Sequence, residues 1–342
     1  LYQQHVYLQQ VLTMQRFLIK IILFTLLILA LISPVVWVNK NILNRPLTGT
    51  ELKLAPGVDT LLAGDSHAEK SLDPGMLPGS VNVSLSGESL FYTYYKLKCI
   101  LKQNPGAVRN VVLAFSYHNI SKKFSEDTVF DKVISSFLIG RYYQYLDAEG
   151  KKRLSGSKYL LFYRMKYDFG IPLMEYTELD TPNLKLLFNS HAEKAKPGGI
   201  GGFNPSALSE INQEKIIKKM KLYFFDNHAN YTGSSQFMID YLDSIAALCA
   251  ENNIKLYLYN APLHAAYRRL IPAAAYDEYD RVVRAVTKKY PNATAFDISA
   301  EALEDRFYED GDHLDKAGAP FAGRKLYRLL NSLPPDKQGN MK

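Results

Sequence analysis

Five short runs of apolar and β-branched residues, each closed by Gly, Ser, Pro or Asn, restrict this chain more than any other feature. They are Asp59–Gly64, Val81–Leu85, Asn110–Phe115, Ile254–Tyr259 and Ala293–Ile298. Runs of this length that do not alternate with polar residues suit strands buried on both faces, as in parallel sheets. Between them lie helical stretches at Glu88–Gln103, Ser234–Asn252, Ala275–Tyr290 and Lys316–Leu330. In the second of these, Phe237, Ile239, Leu242, Ile245, Ala246 and Leu248 share one face. Alternating strands and helices predict a doubly wound α/β sheet of about five mostly parallel strands, over residues 58–332.

The alternation breaks over residues 121–233, which are rich in aromatic and basic side chains and read as a large, mostly helical insertion between strands three and four. The glycine-rich run Lys196–Gly202 inside it reads as a flexible loop. Its aromatics either pack onto the core or form a lid or membrane-facing surface. Ahead of the sheet, Phe17–Val38 is 22 residues long and carries one charge, Lys20. About 20 apolar residues span a bilayer as a helix, with Lys20 snorkelling to one interface and Trp37 suited to the other. No A-x-A cleavage pattern follows, so an uncleaved signal-anchor is favoured over a signal peptide. Residues 1–16 then form an N-terminal tail, 39–57 a linker and 333–342 a C-terminal tail. Met14-Gln15-Arg16 looks like a natural start. A topology with the N-terminus inside is the default for one such anchor, since basic residues flank both ends.

The 41 Lys and Arg outnumber the 34 Asp and Glu, but they are scattered without an Arg-rich run, and no nucleic-acid partner is expected. Two cysteines, Cys99 and Cys249, exclude a disulfide scaffold or a Cys-rich metal module and read as buried free thiols. No metal cluster, phosphate loop or nucleotide fingerprint stands out, so no cofactor and no metal are expected.

Chemistry concentrates at two places. Ser66, in Gly64-Asp65-Ser66-His67, follows the first strand, at the sheet edge where open α/β proteins bind ligands. A serine needs a base to become a nucleophile. His313 and Asp310 follow the fifth strand, at the same edge. His313 is placed to take the Ser66 proton while Asp310 orients the ring. The competing reading makes Asp310 and Asp312 turn residues and Asp315 the cap of the last helix.

Taken together, the serine after strand one, Asp310-Gly311-Asp312-His313-Leu314 before the last helix, and the α/β pattern between them resemble the SGNH (GDSL-like) hydrolase superfamily. The resemblance implies a three-layer α/β/α sandwich and a Ser66–His313–Asp310 triad. It also implies an oxyanion hole from the backbone N–H groups of Ser66 and Gly87, the latter in Ser86-Gly87-Glu88-Ser89. A third donor is expected after strand three, where Ser116-Tyr117-His118-Asn119 replaces the family's Gly-x-Asn. Asn119 is the candidate, with His118 or Ser116 as alternatives. Gly-Asp-Ser-His in place of Gly-Asp-Ser-Leu resembles a membrane-anchored branch that includes alginate O-acetylation factors and the D-alanyl-transfer protein of teichoic acid modification. His67, His118 and His264 are candidate substrate contacts.

The implied function is an extracytoplasmic, bacterial, membrane-tethered esterase or O-acyltransferase. The expected partners are an acylated glycan or small ester as substrate, the membrane through one helix, and a membrane protein carrying the acyl group. The alternatives are a non-catalytic envelope assembly or glycan-binding protein that keeps the fold, or a basic face that docks anionic lipid or polymer.

Overall fold

The computed structural model describes residues 2–38, 52–131, 133–157, 159–169, 201–206 and 211–333. The chain divides into two units. One contains helix α1 (Tyr2–Val38) and residues 161–169, and the other contains the sheet. Within α1, the 22 residues Thr13–Pro34 form a stretch long and apolar enough to cross a bilayer, with none of it buried in protein. The helix extends well ahead of the apolar segment, where a tail was expected. Residues 2–16 hold five Gln and two Leu and no Gly or Pro, so nothing in them stops a helix once it has nucleated.

The second unit is built on a five-stranded, wholly parallel sheet: β1 (Thr60–Ala63), β2 (Ser80–Asn82), β3 (Asn110–Ala114), β4 (Lys255–Asn260) and β5 (Ala293–Asp297). The strand order is β2-β1-β3-β4-β5. Thr60 aligns with Ser80 and Asn110, Leu113 with Leu258, and Asn260 with Asp297. β1 and β3 are buried at every residue, which explains why their sequences are continuous apolar runs. One face presents Leu62, Val112, Ala114, Tyr257 and Tyr259 to a core shared with helices α2 (Ser66–Ser71) and α10 (Ala319–Ser332). The opposite side chains, Leu61, Val111, Leu113, Leu256 and Leu258, are also fully buried. Helix α3 (Leu90–Gln103) packs against α8 (Gln236–Glu251), and α8 in turn touches α9 (Ala273–Lys289).

Between β3 and α8, the described chain runs through α4 (Lys122–Glu126), a π turn at Asp127–Asp131, α5 (Val133–Tyr142), α6 (Ala148–Arg153) and α7 (Gln213–Phe224). Most of the Lys196–Gly202 loop lies outside the described residues. Its last two glycines run against the end of β2: Gly202 N–H donates to the Ser84 carbonyl at 2.9 Å, and a Cβ on Gly201 would collide with that oxygen. Of the two thiols, Cys249 is buried, but Cys99 is only half-buried. It lies one position off the inward face of α3, with Sγ 3.4 Å from the Tyr145 carbonyl.

Candidate functional site

The strand order reverses between β1 and β3, and open α/β sheets bind ligands at the carboxyl ends of the strands flanking such a point. β1 leads into the turn that holds Ser66. Gly64 takes φ +127°, and a Cβ there would lie 3.1 Å from both the Cβ and the carbonyl oxygen of Ala114 on β3. Only glycine lets the chain turn this close to its neighbour. Asp65 then caps α2, its Oδ1 accepting the His67 N–H at 2.9 Å, and Ser66 becomes the first helical residue.

The partner comes from the loop after β5. A bridge between Tyr308 and Leu314, together with Glu309 N–H donating to the His313 carbonyl at 2.9 Å, folds residues 309–313 into a tight excursion. Asp310 shapes it from within. Its Oδ1 accepts the N–H groups of Asp312 and His313, each at 3.0 Å, while its Oδ2 faces His313 Nδ1 at 3.2 Å. On the other side of the ring, His313 Nε2 is 2.7 Å from Ser66 Oγ. The turn role and the orienting role of Asp310 therefore belong to different oxygens of one carboxylate. Asp315, also read as a cap, accepts the N–H groups of Ala317 and Gly318 at 2.8 Å, just ahead of α10.

Two further charges complete the cluster. Asp312 is 1 % exposed, with Oδ1 3.7 Å from His313 Nδ1. Lys219, on α7, reaches in from the 121–233 stretch. Its ammonium bonds Asp310 Oδ2 at 2.7 Å, bonds Asp312 Oδ1, and lies 3.2 Å from His313 Nδ1. Gly311 lets α7 come this near, because a Cβ there would sit 2.8 Å from Ile216 and 3.0 Å from Tyr267. Burial alone would lower the His313 pKa. Asp312 and Asp310 outweigh it, even against Lys219, and hold the pKa above the usual 6.5. Burial would raise the pKa of both carboxylates. The neighbouring His313 and Lys219 instead keep Asp310 below and Asp312 well below the ordinary range. Lys219 is likewise held charged by the two aspartates, against the pull of burial.

Other residues singled out in the sequence are hydrogen-bonded to the surroundings of this cluster. His67 is buried, with Nε2 3.4 Å from Asp312 Oδ2 and Nδ1 lacking a hydrogen-bond partner among the described residues. His118 is buried too, with Nε2 2.6 Å from Asp65 Oδ2 and its ring stacked on Tyr223 at 4.9 Å. Both imidazoles thus lie in the buried, hydrogen-bonded surroundings of Ser66, with their rings 4.6 Å apart. Asn119 is turned inward. Its Oδ1 accepts the Ser116 N–H at 2.6 Å and its Nδ2 donates to Asp65 Oδ2 at 2.7 Å, so the carboxamide holds the Asp65 carboxylate where an oxyanion donor was expected. Burial would raise the Asp65 pKa, but its contacts with His118 and His67 hold it far down, while burial lowers the pKa of His118.

Gly87 lies in the turn after β2 at φ +76°, closed by Glu88 N–H to the Leu85 carbonyl at 3.0 Å. A hydrogen bond from Ser86 Oγ to Glu69 ties this turn to α2. His264 is engaged elsewhere. Its Nδ1 accepts the Ala266 N–H at 3.2 Å, its Nε2 meets Asp305 at 3.0 Å, and its backbone N–H donates to the Gly311 carbonyl at 3.0 Å. It braces the histidine loop through the Gly311 carbonyl.

His67, Asp312 and His313 offer nitrogen and oxygen atoms within 4.8 Å of one another. His67 Nε2, Asp312 and His313 are also hydrogen-bonded to Ser66, Lys219 and each other. Sequence reasoning missed Lys219 outright and read Asp312 only as a turn residue. Lys219 is one of four lysines on a 12-residue amphipathic helix, and nothing local distinguishes it from the other three. No family model and no curated protein matches this chain.

Proposed function

We propose that this protein is a membrane-anchored, extracytoplasmic serine esterase or O-acyltransferase with an SGNH-type, three-layer α/β/α fold. The observation that carries the reading is the continuous chain from Ser66 Oγ to His313 Nε2 at 2.7 Å and from His313 Nδ1 to Asp310 Oδ2 at 3.2 Å. It is supported by the site's position at the reversal of strand order and by burial of both sheet faces.

Ser66 attacks the ester carbonyl carbon as its proton passes to His313 Nε2. The imidazolium that forms is stabilised by Asp310 and Asp312. The backbone N–H groups of Ser66 and Gly87 serve the oxyanion, each donor of this kind being worth about 3 kcal/mol. When the tetrahedral intermediate collapses, His313 returns the proton to the leaving alcohol, and the acyl group stays on Ser66. Water or a sugar hydroxyl then takes the acyl group with the same proton traffic. The substrate class is an acyl ester, acetyl foremost, of a cell-envelope polysaccharide. The apolar stretch Thr13–Pro34 serves as the single membrane anchor.

One observation favours a second reading. With the Asn119 carboxamide committed to Asp65, the oxyanion hole has two donors at most from the expected set. A non-catalytic envelope assembly or glycan-binding protein that keeps the fold would tolerate this. Fluorophosphonate labelling of the full chain in detergent separates the two. Wild type labels covalently and Ser66→Ala does not; equal labelling of both removes the enzyme reading.

A further inference from the structure

We propose that Lys219 is a positioning residue of the Ser66–His313 pair: it clamps Asp310 and Asp312 together and sets how tightly His313 holds its proton. The inference rests on the proposed hydrolase or transferase reading for its catalytic meaning, though not for its electrostatics. The geometry is specific. One ammonium meets both carboxylates that border His313 Nδ1 and lies 3.2 Å from that nitrogen. An ammonium has only protons to offer, so it cannot accept the Nδ1 proton. In the tautomer that leaves Nε2 bare towards Ser66, the Nδ1 proton is donated to Asp310 Oδ2, and Lys219 acts on the ring through the two carboxylates it holds. Lys219 also bridges two carboxylates only two residues apart, whose mutual repulsion would otherwise open the loop.

The groups around His313 define the electrostatics. Ser66 and His67 face it from α2, Asp310 and Asp312 from its own loop, and Lys219 from α7. Asp65 and His118 lie behind His67, and Tyr223 stacks on His118. Lys219 is the one lysine or arginine in this set. It offsets two carboxylates and keeps the His313 pKa, already raised, from rising further. A fully aliphatic side chain at this position would leave the carboxylates uncompensated. His313 would then hold its proton to higher pH and be a poorer base near neutrality.

The test uses the full chain in detergent, labelled with isotopic histidine, and follows the His313 ring resonance against pH, assigned by its loss in His313→Gln. Lys219→Met raises the His313 titration midpoint by about one pH unit. It moves the acid limb of kcat/KM on nitrophenyl acetate by the same amount and lowers kcat more than it raises KM. Lys219→Arg returns the midpoint to near wild type. A residue needed only for folding would change the yield or the Tm and leave the midpoint in place. An unmoved midpoint in folded Lys219→Met overturns the inference. Should Lys219→Met not fold, Lys219→Gln keeps a donor without the charge, and the same shift or its absence decides. If wild type shows no Ser66-dependent turnover, the proposed function falls, while the titration still decides the role of Lys219.

Discussion

Replacing Asp310 by Asn tests the orienting carboxylate with little change of shape. Asp310 Oδ1 accepts two backbone N–H groups at 3.0 Å, so the oxygen of an Asn carboxamide is drawn to that side and its NH2 is turned towards His313 Nδ1. An N–H donor there holds Nδ1 unprotonated and moves the ring proton to Nε2, where it blocks transfer from Ser66. The carboxamide can escape by flipping, which forfeits both backbone bonds at about 1 kcal/mol each. About 2 kcal/mol leaves roughly one molecule in 30 competent, which sets the smallest loss. If the wrong tautomer is fully trapped, the loss reaches about 10⁴-fold, or about 5.5 kcal/mol. The assay is kcat/KM on nitrophenyl acetate near pH 8, with thermal melts to show that the variant is folded. A loss below about tenfold, with Asp312→Asn losing more, would show that the 3.7 Å neighbour and not the 3.2 Å one orients the ring, and the reasoning would fail.

Because the His313 pKa is raised above 6.5, the imidazolium persists to higher pH, and kcat/KM is expected to fall on the acid side with a midpoint above 6.5; a midpoint below that value contradicts the charge balance drawn here. Lys96 and Glu88 form a fully buried ion pair behind the Gly87 turn, joined by the Tyr142 hydroxyl 2.5 Å from Glu88 Oε2, and burial pushes each towards its neutral form. Lys96→Met should cost about 3–5 kcal/mol in denaturant unfolding, and adding Glu88→Gln should recover part of it; an additive second loss would contradict the pairing. Gly64→Ala should destabilise the fold by more than 1 kcal/mol and cut Ser66 labelling, since φ +127° and the Ala114 contact leave no room for a methyl; unchanged labelling and Tm would show that the turn can relax.

The strands were legible because burial on both faces writes itself into local composition. Each of the five expected runs contains or overlaps a strand of the sheet, the second running three residues past β2. Ser66 and His313 could be paired from topology, since parallel strands bring their carboxyl ends to one edge. What lay beyond reach depended on side-chain direction and on packing between distant segments. Whether His67 faces substrate or Asp312 depends on the pitch of α2. Whether Asn119 offers its N–H to substrate or to Asp65 depends on the turn after β3. Lys219 belongs to the site because Gly311 admits α7, a contact between residues 91 to 94 positions apart that no local pattern announces.

The hydrogen bond between Ser66 and His313 joins residues 247 positions apart. Drawing such ends together costs roughly 5 kcal/mol of chain entropy before any contact repays it, and contacts of this range are slow to form. On the proposed enzyme reading, covalent capture of Ser66 would report on chains in which this long-range contact has formed.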